Sequence, residues 1–140
     1  MRTDRAMRAL LIAVGLVVGA IVIASSTLDE GEVVTLVTKN GGGAAYDTQL
    51  WIVEWNGQLY LRAGSPRVRW LERLRANPEV SLRRGGETLA FIAAPKDDPQ
   101  TREAVNARMA EKYGFADRLW GYVGDRRRSV PILLEPRPGT

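Results

Sequence analysis

The 140-residue chain contains no cysteine and no histidine. Without cysteine there is no disulfide, thiolate zinc site, cysteine-ligated iron–sulfur cluster or cysteine nucleophile. Without histidine there is no Ser-His-Asp relay, no histidine-held haem and little of the ligand chemistry that transition metals use. Carboxylates alone can hold a hard cation, but Asp and Glu do not cluster into a ligand motif. Chemistry in such a chain falls to a bound cofactor. Neither sign of charge dominates, with 20 Lys and Arg against 16 Asp and Glu. The net charge is +4, and Arg2, Arg5 and Arg8 against Asp4 put +2 of it ahead of Asp29. A body so close to neutral does not suit nucleic acid. Nearly all its positive charge is Arg, which fits planar anion recognition and equally a base-composition bias of the gene. Internal repeats and low-complexity segments are absent, and a hydrophobic fraction of 45% is that of an ordinary globular chain.

One long uncharged run is present. Residues 9–28 carry no charge, and residues 9–24 are apolar throughout apart from glycines. Twenty helical residues span about 30 Å, the thickness of one hydrocarbon core. Basic residues precede the run, and Asp29, Glu30 and Glu32 follow it. The expectation is a single-pass anchor over residues 1–28, with the N-terminus cytoplasmic and the body, residues 29–140, outside the cytoplasm. A cleaved signal peptide competes, because Ala24-Ser25-Ser26 offers small residues for cleavage. Gly15 and Gly19 are spaced to pair two such helices, although glycine is common in membrane helices anyway.

The body is organised around residues 59–78, LYLRAGSPRVRWLERLRANP. This reads as a strand, a turn freed by Gly64, and a helix with Ser65 as N-cap and Pro66 at its first position. The helix runs through Trp70, Leu71 and Leu74 and stops at Asn77-Pro78. Arg62, Arg67 and Arg69 gather at its start, where free N–H groups and the helix dipole favour an anion. A solvated arginine-rich helix satisfies the same pattern. Upstream, residues 33–39 alternate as a strand, and residues 40–43 form a glycine-rich loop outside any strand–loop–helix frame. Residues 48–55 and 58–63 form a hairpin closed by a type I′ turn at Asn56-Gly57. That turn pairs Trp55 with Gln58, Val53 with Tyr60 and Trp51 with Arg62 on one face. The other face, Leu50, Ile52, Leu59, Leu61 and Ala63 with Glu54, is mainly aliphatic and reads as core. The aromatic face is too polar for a core and too aromatic for free surface.

Residues 80–84 and 87–93 make a second hairpin, with Val80 and Leu82 aligned to Phe91 and Leu89. Asp98 caps a helix that has Pro99 first, ends at Gly114, and carries a core stripe of Val105, Met109 and Tyr113. Residues 115–122 read as an aromatic irregular segment or short helix, suited to a pocket lid or a membrane surface. The run Arg126 to Arg128 reads as a solvated turn. Residues 130–134 make the last strand, and Pro136 and Pro138 end the fold.

The segments LWIVEWNGQLYLRAGS and RWLERLRANPEVSLRRGG resemble the split β-barrel flavin and deazaflavin oxidoreductases. That group includes the pyridoxamine-phosphate-oxidase-like proteins and the deazaflavin-dependent nitroreductases. The resemblance covers residues 33–136 and is most specific where Trp70, Leu74 and Asn77-Pro78-Glu79-Val80 follow a strand ending in Arg62-Ala63-Gly64. It implies a mainly β split barrel with two or three helices, dimerising through the face of Trp51, Trp55 and Tyr60 and holding FMN or a deazaflavin of the coenzyme F420 type between subunits. Trp51 and Tyr60 would then pack near the ring, while Arg62, Gly64, Ser65, Arg67 and Arg69 would hold the phosphate. Members of the family often carry a basic Gly/Ser segment after the first strand for the cofactor phosphate, and here only Lys39 has that character. The implied activity is hydride or electron transfer to a small organic acceptor such as a quinone or nitro compound. A membrane-anchored split barrel that binds without catalysis is the alternative.

Overall fold

The computed structural model describes residues 31–138. The expected anchor over residues 9–28 lies outside the described residues, and no helix among those described is long and apolar enough to cross a membrane. The body begins with β1 (Val33–Lys39), β2 (Ala45–Trp55), β3 (Gln58–Ala63) and α1 (Arg69–Ala76). It continues with β4 (Glu79–Arg84), β5 (Glu87–Pro95), α2 (Pro99–Tyr113), α3 (Phe115–Val123), a 3-10 turn (Arg126–Arg128) and β6 (Val130–Pro136). The strands close into an antiparallel barrel in the order β1-β2-β3-β6-β5-β4, returning to β1.

Turn chemistry sets the registers. Asn56 and Gly57 both adopt positive φ, at 57° and 73°, as a type I′ turn requires. The pairs Trp55–Gln58, Glu54–Leu59, Val53–Tyr60 and Ile52–Leu61 follow from it. Val80–Phe91 and Leu82–Leu89 align as the sequence implies. β2 starts three residues earlier than its hydrophobic pattern suggests, because β1 pairs along its whole length down to Lys39–Ala45. The glycine loop between them is pinned rather than open. Asn40 Oδ1 accepts from the N–H groups of Gly42 and Ala44 at 3.0 and 2.9 Å. Those donors are thereby withdrawn from any phosphate.

The barrel interior holds Val34, Leu36, Ile52, Leu61, Val80, Leu82, Ile132 and Leu134, and α1 adds Trp70, Leu71 and Leu74 to the same core. A second apolar cluster lies on the outside of the sheet. There Val53, Tyr60 and Leu133 meet the α2 stripe of Val105, Met109 and Tyr113. The aromatic face of the first hairpin is therefore covered by the chain's own helix. Tyr60 is only 4% exposed. This corrects its reading as a face left open for a second subunit: Tyr60 faces α2, and Trp51 stacks on Tyr113 with ring centroids 4.4 Å apart. The period-2 pattern shows that both sides of the hairpin are apolar, but it does not say which element supplies the cover.

The start of α1 also differs from expectation. Its N-cap is Val68, with no side-chain cap. Ser65 Oγ instead accepts from the Arg67 amide at 3.1 Å, a local serine turn. Pro66 and Arg67 precede the helix, and only Arg69 lies in its first turn. A Ser-Pro pair makes a turn as readily as a cap, and here the turn wins. α2 begins as its sequence implies, with Asp98 accepting from the Thr101 amide at 2.9 Å and Pro99 at the first position. Residues 115–123 are helical, starting directly after Gly114.

Candidate functional site

β1, β2 and β3 meet α2 and α3 around a cleft of about 340 Å3, lined by Val33, Gln49, Leu50, Trp51, Arg62, Met109 and Trp120. The period-2 alternation of β2 and β3 puts Trp51 and Arg62 on the outer face. α3 brings Trp120 over them. The Arg62 guanidinium lies 3.9 Å from the centroid of Trp120 and 6.0 Å from that of Trp51. A cation between two indoles is a favourable electrostatic arrangement, and more so when water is excluded.

Arg62 does not project freely into the cleft. Its side chain is 4% exposed. Nη2 donates to Asp117 Oδ1 at 2.8 Å, and Nη1 donates to Asn106 Oδ1 at 3.1 Å. Asp117 is fully buried and takes a second cation, with Arg126 Nη2 donating to Oδ2 at 2.9 Å and to the Asp117 carbonyl at 2.8 Å. Ser129 and Asn106 extend the network, both donating to the Arg126 carbonyl. Burial pushes the Arg62 guanidinium below its usual range, and the bond to Asp117 pulls it back up. A carboxylate held by two guanidiniums, with a neutral amide at the far side, satisfies the charges that burial would otherwise penalise.

A second polar cluster sits where β1 begins. Arg84 grips the Glu32 carboxylate at 2.7 and 3.0 Å, and Lys112 bonds it at 2.9 Å. The grip of Arg84, helped by Lys112, holds the Glu32 carboxyl down to about 2. Tyr113 Oη lies 2.6 Å from the Glu32 carbonyl and accepts from the Ile52 amide at 2.9 Å. Burial pushes the Tyr113 phenol up to about 12.

The remaining residues singled out from the sequence fall in three places. Gly64 abuts the cleft's Trp120: a Cβ there would stand 3.1 Å from the Trp120 ring. Ser65, Arg67 and Arg69 follow within five residues, and among the described residues the side chains of Arg67 and Arg69 make no hydrogen bond or ion pair. Lys39 lies at the opposite end of β1 from Val33, roughly 20 Å away at strand rise. There it borders a small recess with Glu79 and Arg137 instead of the cleft. Tyr60 is buried beneath α2 and lines no part of the cleft. Sequence reading missed Trp120, Asp117 and Asn106. The available signal was Asp117 alone among Phe115, Leu119, Trp120 and Tyr122, since a single carboxylate in an aromatic segment needs a buried partner. Among the described residues no group of acidic side chains is placed to hold a metal ion.

The fold is that of the split β-barrel proteins of the pyridoxamine-phosphate-oxidase type, as the sequence resemblance implies. Solved structures carry this likeness. An F420-H2-dependent reductase, FDR-A, is 27% identical, with a TM-score of 0.58 over 76% of this chain and 96% of that one. A Listeria innocua protein assigned provisionally to the pyridoxamine 5'-phosphate oxidases is 17% identical, with a TM-score of 0.60 over 80% and 89%. The heme storage protein HutZ from Vibrio cholerae is 20% identical, with a TM-score of 0.59 over 79% and 84%. No family model and no curated protein matches the chain. The shared scaffold thus carries different ligands in different proteins, and function resides in the site built on it.

Proposed function

We propose that the chain is a flavin- or deazaflavin-dependent oxidoreductase, tethered to a membrane by residues 1–28, that passes hydride or electrons to a small organic acceptor. The observation that carries this reading is the cleft in which Trp51, Arg62 and Trp120 converge on a split barrel. Its volume lies at the low end for small-molecule sites, enough for a fused planar ring system but not for a whole nucleotide-sized cofactor. The two indoles provide flat apolar walls for such a ring. The unpaired Arg67 and Arg69 beyond Gly64 provide charge for a phosphate outside the cleft. Such a cofactor supplies hydride and one-electron chemistry, which no side chain of the cleft can. The chain's residues bind, orient and exclude water: Arg62, locked by Asp117 and Asn106, holds a fixed positive field at the cleft wall. A homodimer remains part of this reading, with contacts other than the α2-covered face of Tyr60.

Titrating the purified full-length protein with FMN and with coenzyme F420, followed by absorbance and fluorescence, tests the reading. Loss of one charge-assisted hydrogen bond is worth about 1.5–3 kcal/mol, so Arg67→Ala should weaken binding roughly 10- to 100-fold. Arg75→Ala is the matched control, because Arg75 sits at the far end of α1 with only a long 4.0 Å contact to Asp97. Arg73 cannot serve, since it donates to Thr38 Oγ1 at 2.8 Å and lies over Tyr46. A specific observation favours the non-catalytic alternative: the cleft offers no carboxyl, hydroxyl or amine for proton transfer. Failure of folded wild type to bind either cofactor would decide for that alternative.

A further inference from the structure

α3 is inverted for a surface helix of a globular body. Its only carboxylate, Asp117, points inward and is fully buried. Phe115, Leu119 and Tyr122, at i, i+4 and i+7, form one outward stripe. They are 63%, 51% and 84% exposed. An outward apolar stripe of this kind marks a surface that something covers. Around it stand cations. Arg118 projects from the helix itself, and Arg127 and Arg128 follow in the 3-10 turn, all exposed. Arg118, Arg126 and Arg127 border a groove of about 530 Å3 with Tyr122, Gly121, Gly124 and Asp125. Asp125 is the one acid in that groove, and it is engaged by the amide and Nε of Arg127 at 3.0 and 3.4 Å.

The place where the chain enters the body selects the occupant. Glu32 is bonded to Lys112 and Tyr113, the last two residues of α2, and α3 starts two residues later. Val33, the next residue, shares the cleft wall with Trp120 of α3. The 20-residue uncharged segment ends at Leu28, four residues before Glu32, and four residues reach at most about 14 Å. The helix that carries the apolar stripe thus starts two residues after the contacts of Glu32, and in sequence the uncharged segment ends four residues before Glu32. We infer that α3 and the 3-10 turn dock on an anionic bilayer surface, with Phe115, Leu119 and Tyr122 entering the interface and Arg118, Arg127 and Arg128 meeting lipid phosphates. This rests on the anchor in the proposed function for its local concentration of lipid, but not on any cofactor.

The absence of cysteine makes the test specific, since one introduced thiol labels one site. Full-length Tyr122→Cys, carrying an environment-sensitive dye, is reconstituted with phosphatidylglycerol–phosphatidylcholine vesicles that contain a lipid-borne quencher. Gly41→Cys, in open space in the β1–β2 loop, is the control. The dye at 122 should shift to the blue and be quenched, and the dye at 41 should do neither. Each arginine near an anionic surface contributes roughly a fivefold factor, so adding Arg127→Ala and Arg128→Ala should lower the shielded-to-exposed ratio roughly 25-fold. Equal water access at 122 and 41 would overturn the inference, as would equal quenching in pure phosphatidylcholine. Efficient cross-linking of two unlabelled Tyr122→Cys chains through their thiols in the same vesicles would also overturn it, by assigning the stripe to a second copy. Carbonate extraction of the same vesicles reads the anchor separately: release of the chain sinks the anchor, whereas dye shielding reads α3.

Discussion

At the scale of single residues, the fold depends on a carboxylate that the sequence marks only by its isolation in an aromatic segment. Asp117 holds Arg62 against the cleft wall, and both side chains are out of water, at 1% and 4% exposure. Removing one partner of a buried pair costs about 3–5 kcal/mol, because the other is left as an unpaired buried charge. Asp117→Ala should therefore cost about that much in urea unfolding and release Arg62 and Trp120 from their fixed positions. Arg126→Ala should cost clearly less: its side chain is 41% exposed, water replaces much of what it gives, and Arg62 still satisfies Asp117. A loss below about 1 kcal/mol for Asp117→Ala would show that the cluster is not a structural support. Gly64 is a second such position. Its missing Cβ leaves room for the Trp120 ring, so Gly64→Ala should push that indole outward and lower the affinity of any ring bound against it.

At the scale of elements, what could be read followed from local rules. The Asn56-Gly57 turn dictated a register, the Asp98-Pro99 pair dictated a helix start, and the stripe of Val105, Met109 and Tyr113 announced a packed face. What could not be read depended on choices between local options of similar energy or on distant partners. Ser65-Pro66 serves a turn although the same pair also suits a helix cap, which moves Arg67 out of α1 and leaves Arg69 as the one arginine in the first turn. The first hairpin shows two apolar faces, but only the tertiary fold assigns the outer one to α2. The site shares this division. Trp51 and Arg62 were legible because strand alternation puts them on one face, whereas Trp120 reaches the cleft from 58 residues further along the chain. Lys39 was separated from the cleft by nothing more than the length of β1.

At the scale of the whole molecule, the Glu32–Arg84–Lys112–Tyr113 cluster ties the start of β1 to the end of β4 and the end of α2, and it sets how stability responds to pH. Glu32 has a folded value near 2 against 4.5 for the free group. Its contribution is complete above about pH 4.5 and is lost as pH falls towards 2. Tyr113 has the opposite sign. Its folded value near 12 lies above 10 for the free phenol, so the fold favours the neutral form. That contribution is complete below about pH 10 and disappears as pH rises towards 12. Burial also raises Tyr60, which steepens the same alkaline limb. Tyr113→Phe should make the two limbs separable. The Ile52 amide then loses its partner, which should cost about 1–3 kcal/mol at neutral pH. The variant should also lose less of its remaining stability between pH 10 and 12 than wild type, because only Tyr60 still titrates there from a buried position. The acid limb, carried by Glu32 and its two cations, should be unchanged in Tyr113→Phe and flattened in Glu32→Gln. Chemical unfolding followed by Trp fluorescence at pH 3, 7 and 11 measures all three quantities. An alkaline limb as steep in Tyr113→Phe as in wild type would mean that another group carries it and that the phenol is not the alkaline determinant of the barrel.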